Sequence, residues 1–336
     1  MRKLLLIAAA ALGCTMAQAC VEAHAQDFSK AKIDVIVKAT TSQYWATVFD
    51  GARAASRVLG VHIATLGAPS ELDAAEEVTI MENAISAHPA GIVIAATNAQ
   101  ALAEPIAAAT KAGIPVIVID SDANTDQYVT FLATDNVAAG VKAADELARC
   151  VKGRTGADTG KVAYLTALAG AQSLNDRDKG FLDGLKKYPG LTIVEHRVGN
   201  NMPSRALSDS EDLLTRHPDL VGIFADNELE GDGAGTAVSE KGLGSKVCLV
   251  AFDTSDTEIK FVRTGIIDAL IVQNPYMMGY AGVWYALAAS HGVLFPHYVD
   301  TGVTVVTKAN IDSPQVVGLL DPSKYTLTPF LGANVK

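Results

Sequence analysis

The chain has 336 residues, 49% of them hydrophobic, enough for one large core and by length for two. Its formal charge of −10, without a basic stripe, excludes nucleic acid and anionic membrane surfaces as partners. No apolar run of about 20 residues follows the N-terminal region, which excludes a membrane-spanning helix in the remainder.

Arg2 and Lys3, an apolar run over 4–12, and Ala23-His24-Ala25 before Gln26 read as a secretory signal peptide cleaved after Ala25. An exported, soluble protein is therefore expected. Lipidation at Cys20 is the lesser alternative, because leucine is missing three residues before the cysteine. Cys150 and Cys248 survive cleavage, and an oxidising compartment would let them pair; two buried thiols are an equal alternative.

From residue 33 onward, short β-branched runs alternate with helical patterns, the βαβ signature of parallel sheets covered on both faces. Strands are expected over 33–37, 61–66, 91–95, 115–119 and 129–132, with helices over 45–59, 71–87 and 99–112. A helix capped by Asp135 or Asn136 runs to Cys150, and a polar, Gly-rich loop covers 152–160. The pattern then restarts, with strands over 162–166, 192–197, 220–224, 247–252 and 269–273. Helices are expected over 176–187, 204–215, 231–241, 255–264 and 279–289, and strand and loop over 303–336. Two successive series imply two similar lobes rather than one barrel, and the leftover terminal elements imply that the chain crosses back between them.

In open parallel sheets the ligand lies at the carboxyl ends of the strands. Those ends carry residues 38–45, Thr97-Asn98, Asp120-Ser121-Asp122, 167–175, Asn200-Asn201, Asp226-Asn227-Glu228, Asp253-Thr254-Ser255 and Gln273-Asn274. Any one of these polar groups alone reads as a helix cap or turn. Gathered at one edge, they suit vicinal hydroxyls, which both donate and accept. Residues 38–45 add two adjacent aromatics, Tyr44 and Trp45, about 100° apart on a helix, so that one faces the cleft and stacks on a sugar ring. Lys38, at the end of a buried strand, needs a carboxylate or ligand oxygens as its partner.

Nucleophile-elbow, phosphate-loop, zinc-protease and dithiol motifs are absent, and no cofactor or metal is expected. Asp120 and Asp122 lack a third acidic ligand at calcium-loop spacing. Asp120 with Asp253 would also serve a glycosidase, but a cleft built of polar ground-state contacts argues for binding rather than catalysis.

The order of these motifs resembles the periplasmic sugar-binding proteins of ABC transporters that include the ribose-binding protein. The likeness runs through Tyr44-Trp45, Gly113-Ile114-Pro115-Val116, Ala133-Thr134-Asp135-Asn136, Asp178-Lys179-Gly180-Phe181, Phe224-Ala225-Asp226-Asn227, Phe252-Asp253 and Ile271-Val272-Gln273-Asn274-Pro275. The resemblance implies an α/β protein of two Rossmann-like lobes, joined by three hinge crossings near Thr134, Gln273 and Asp300, with ligand in the cleft. The lobes would comprise 26–134 plus 274–300 and 135–273 plus 301–336, after a signal peptide over 1–25. It also implies ligand contacts from Ser42, Tyr44, Trp45, Asp120, Thr134, Asn175, Asn227, Asp253 and Gln273, to which the residues themselves add Lys38 and Asp122. Ser121 and Asn175 stand where the ribose binder has arginines, so another monosaccharide or a sugar alcohol is expected. A periplasmic receptor serving an inner-membrane permease follows from the resemblance, and a monomer from one ligand cleft per chain; the alternative is a receptor presenting its closed form to a membrane sensor.

Overall fold

A computed structural model describes residues 28–321 and Lys324. The leader, its cleavage point after Ala25 and Cys20 lie outside the described residues, as does most of the chain end. The first sheet contains β1 (Lys32–Val37), β2 (His62–Gly67), β3 (Gly91–Ile94), β4 (Val116–Ile119), β5 (Thr130–Ala133) and β11 (Tyr298–Asp300), in the order β11-β5-β4-β3-β1-β2. The second contains β6 (Gly160–Thr166), β7 (Leu191–Val198), β8 (Leu220–Ala225), β9 (Cys248–Phe252), β10 (Ala269–Val272) and β12 (Thr304–Val306), in the order β12-β10-β9-β8-β6-β7. All pairings are parallel except β10 with β12.

Helices cover both faces of each sheet: α1 (Gln43–Leu59), α2 (Ala74–Ala87), α3 (Ala99–Lys111) and α9 (Pro275–Ser290) on the first, and α4 (Asn136–Thr155), α5 (Gln172–Leu185), α6 (Pro203–Arg216), α7 (Glu228–Glu240) and α8 (Asp256–Thr264) on the second. The central strands β3, β4 and β10 are buried along their whole length, which explains why they read as unbroken apolar runs. The chain passes between the sheets after β5, β10 and β11. Two of these passages are stitched together: Thr134 Oγ1 donates to the Gly302 carbonyl at 3.1 Å, and Thr301 N to the Ala133 carbonyl at 2.9 Å.

Several helices begin earlier than periodicity predicts, because their first turns are fixed by caps rather than by the apolar repeat. Ser42 accepts from Tyr44 N, Asn227 from Glu230 N, and Asn274 from Met277 N with Pro275 at the first helical position. One helix begins later: Asp73 caps α2 through Glu76 N, which leaves Glu71 in the preceding loop rather than inside the helix. Helix α4 runs on through Thr155 and shortens the expected loop, and α10 (Pro314–Leu320), capped by Ser313, replaces expected loop near the end.

Cys150 in α4 and Cys248 in β9 form a disulfide, with Cα atoms 6.0 Å apart across 98 residues of sequence. Helices α4 and α5 approach so closely that a Cβ on Gly140 would lie 2.1 Å from the Arg177 carbonyl, and one on Gly180 2.1 Å from that of Val137. Only glycine permits this approach.

Candidate ligand-binding cleft

Between the lobes lies a cleft with about 410 Å³ of empty space including its open mouth. Its walls come from the carboxyl ends of the strands and the first turns of α1, α5 and α7. From the first lobe come Lys38, Ser42, Tyr44, Trp45, Glu71 and Asp120; from the second, Ser173, Leu174, Arg177, Asn201, Asn227, Glu228, Leu229, Asp253 and Gln273.

Two aspartates occupy matching positions. Asp120 follows β4 at φ 61° and Asp253 follows β9 at φ 69°, both in the left-handed region that non-glycine residues enter at a cost of roughly 1–3 kcal/mol. Each is tied down by a neighbouring strand, Asp120 N to the Leu132 carbonyl and Asp253 N to that of Ile271. Each meets a buried cation. Lys38 Nζ lies 2.7 Å from Asp120 Oδ2 and donates to Ser121 Oγ at 2.5 Å, while Arg177 Nη1 lies 3.4 Å from Asp253 Oδ2. Lys38 thus has the carboxylate that its buried position requires.

The carboxyls respond in opposite directions. Burial raises both, but at Asp120 the Lys38 ammonium and Arg177 guanidinium outweigh it and hold the group below the usual range. At Asp253 burial prevails over Arg177 and the Gln273 amide, and the group rises.

Arg177 is further held by Asn136 Oδ1 at 2.9 Å and the Asp226 carbonyl at 2.8 Å, and its guanidinium lies 4.3 Å from the Phe252 ring centroid. Gln273 donates to Asp253 Oδ1 at 2.7 Å, and its own Oε1 is buried without a partner among the described residues. Asn227 donates to Asn201 Oδ1 at 2.9 Å. The Tyr44 hydroxyl donates to Asp120 Oδ1 at 2.9 Å, and the Tyr44 and Trp45 rings stand at 85° with centroids 4.8 Å apart. Polar groups therefore ring two flat apolar faces set at right angles.

The lobes meet directly. Glu228 Oε2 accepts from Ser42 Oγ and from Tyr44 N, each at 3.1 Å; Ser121 Oγ lies 2.7 Å from Ser173 Oγ; and Asp122 N donates to Gln172 Oε1 at 3.1 Å. Enclosure pushes the Glu228 carboxyl up to about 7, against the opposing hydrogen bond from Tyr44.

Of the residues expected at the site, Lys38, Ser42, Tyr44, Trp45, Asp120, Asn227, Asp253 and Gln273 line the cleft, and three do not. Asp122 sits at its rim, its carboxylate accepting from the Tyr128 hydroxyl at 2.9 Å. Thr134 is buried at the passage between the lobes. Asn175 is exposed, because α5 begins at Gln172 and turns positions 173, 174 and 177 toward the cleft. The expected loss of a second-lobe arginine is thereby corrected: Arg177, two residues on, supplies the guanidinium. Glu71 was also missed, since the apolar spacing of α2 extends back over it.

A sequence profile described as the periplasmic binding protein domain matches residues 33–292. The chain belongs to that family. It is 30% identical to the ribose import binding protein of Haemophilus influenzae over 261 residues, covering 78% of this chain and 85% of the relative. Among solved structures, a carbohydrate transporter solute-binding protein from Agrobacterium radiobacter in complex with D-arabinose is 42% identical, with a TM-score of 0.85 over 87% of this chain and 99% of the other. An ABC transporter solute-binding protein from Agrobacterium vitis with bound D-fucose is 36% identical, with a TM-score of 0.82 over 87% and 100%. These relatives are binding proteins of transporters, and this chain is likewise a binding protein rather than an enzyme.

Proposed function

We propose that the protein is a periplasmic receptor that captures a neutral monosaccharide between its lobes by hinge closure and delivers it to an ABC permease. The observation that carries this reading is the matched pair of left-handed aspartates, each with its own cation, facing each other across a cleft walled by Tyr44 and Trp45. Lys38 and Arg177 already have carboxylate partners, so neither is left to attract an anionic ligand. Vicinal hydroxyls would bridge Asp120 in one lobe and Asp253, Asn227 and Gln273 in the other, each bond to a charged group contributing roughly 1.5–3 kcal/mol. A hydroxyl donor would satisfy Gln273 Oε1, and an aromatic face would cover the ring's C–H surface.

Hinge bending would occur at the passages near Thr134, Gln273 and Asp300, with the lobes taken as 26–134 plus 274–300 and 135–273 plus 301–336. Sheet membership supports this division. Closure is favoured because the sugar touches both lobes only in the closed form. The relatives that hold D-arabinose and D-fucose support an aldose as ligand. The test is a thermal-shift series on ligand-stripped protein with aldoses, ketoses and sugar alcohols. Stabilisation by a narrow set of neutral monosaccharides is expected, and a folded protein indifferent to every sugar would overturn the reading.

A further inference from the structure

Glu71 belongs to no strand end and to no helix. It lies in the loop between β2 and α2, in a tight turn closed by Asp73 N donating to the Ser70 carbonyl at 3.1 Å and Leu72 N to Ser70 Oγ at 3.2 Å. That loop is fastened to the one carrying the cleft aromatics: Thr40 N donates to the Ala68 carbonyl at 3.0 Å and Thr41 Oγ1 to that of Pro69 at 3.3 Å. The turn thus holds the Glu71 carboxylate against the edge of Trp45, whose Nε1 donates to Oε1 at 2.7 Å.

An indole has one polar atom, a donor, so a hydrogen bond to it adds a directional constraint to that of packing. Trp45 is 3% exposed, which makes an unpaired N–H costly. The Nε1 bond to Glu71 is the polar constraint on its orientation. The edge contact with Tyr44 is apolar, and the Lys38 ammonium, 5.5 Å from the ring centroid, is drawn to an aromatic face on either side. We propose that Glu71 is a positioning residue for sugar binding, one that selects the orientation of the Trp45 indole and so sets the shape of the stacking wall. The proposal rests on the sugar-binding reading of the cleft and adds to it a residue of the cleft wall that acts through Trp45. Burial raises the Glu71 carboxyl, with the Lys38 ammonium and the Trp45 bond opposing that rise.

The chain has two tryptophans, and the other, Trp284, is on the surface of α9, so Trp284→Phe leaves Trp45 as the sole indole reporter. In that background Glu71→Ala is expected to shift ligand-free Trp45 emission and to weaken binding of a stabilising aldose about tenfold. Glu71→Asp keeps the charge but shortens the reach; it is expected to behave like Glu71→Ala and carries the test should the alanine variant not fold. Glu71→Gln offers an amide oxygen at the same reach and restores emission and most of the affinity. When Trp45 is replaced by Phe, Glu71→Ala should cost nothing more.

Wild-type emission in the Asp variant, failure of Gln to restore it, or an undiminished loss of affinity in the Trp45→Phe background would each overturn the proposal. The emission arm needs no sugar. If no sugar binds but emission shifts, the ligand assignment fails while indole positioning stands; if sugar binds and emission is unmoved, the positioning role alone fails.

Discussion

In the first lobe Asp120 leaves β4 at φ 61° with Lys38 at 2.7 Å, and in the second Asp253 leaves β9 at φ 69° with Arg177 at 3.4 Å. The two lobes share a strand-end device, then diverge. The first lobe sets its carboxylate against an ammonium and two aromatic planes, with Asp120 ionised below its usual range. The second surrounds its carboxylate with amides and further acids, and Asp253 rises. The first lobe thereby presents a fixed charge and flat walls, whereas the second presents hydrogen-bonding groups whose ionisation depends on how far water is excluded.

The largest expected difference lies in breaking the two ion pairs. Asp120→Ala strands Lys38, a compact buried cation, and should cost about 3–5 kcal/mol of stability by urea unfolding. Asp253→Ala should cost less, about 1–3 kcal/mol, because Arg177 retains Asn136 and the Asp226 carbonyl. Equal losses would erase the distinction between the lobes.

Next in size is the disulfide, which joins elements of the second lobe only. Replacing Cys150 and Cys248 together by alanine should remove about 2–4 kcal/mol, and hydrogen exchange should quicken in α4 and β9 before it quickens in β1 or β4. Uniform loss of protection across both sheets would mean that the lobes unfold as one unit.

Acid-dependent stability sharpens the comparison further. Burial raises Glu77 in the first lobe to about 7, and Glu228 and Glu230 in the second to about 7 and about 8. A carboxyl raised in the folded state contributes stability that is fully present below its ordinary value and lost as pH rises through the folded value. The melting temperature should therefore fall between about pH 5 and about pH 8. Glu230→Gln should flatten that slope more than Glu77→Gln does, since Glu230 has the higher value.

The smallest effect is expected at Ser42, whose hydroxyl both caps α1 and reaches Glu228 in the other lobe. Ser42→Ala should cost about 1 kcal/mol of stability, and scattering in the absence of ligand should show a larger share of open molecules. An unchanged scattering curve would confine Ser42 to its capping role.

Strand ends were the most legible part of the site. Asp120, Asp253, Asn227 and Gln273 follow β-branched runs that admit no other assignment, and parallel sheets gather such ends at one edge. Residues on helices were less legible, because the face a side chain takes depends on where the helix starts. The family likeness set the second-lobe contact at Asn175, which α5, starting four residues earlier than expected, turns outward while it buries Arg177. Glu71 was hidden by the apolar spacing of α2, and the pairing of Cys150 with Cys248 depends on a contact 98 residues apart that periodicity does not encode. The left-handed backbone at Asp120 and Asp253 has no signature in residue type, since aspartate after a strand is equally an ordinary cap.

The most direct test of a sugar held by both lobes is calorimetric titration of D-arabinose and D-fucose into ligand-stripped protein, repeated with Asp120→Asn and with Asp253→Asn. Binding of at least one of the two sugars at one site per chain is expected, weakened by about tenfold or more in each variant. Binding that survives both substitutions unchanged would place the sugar outside this cleft and contradict the account.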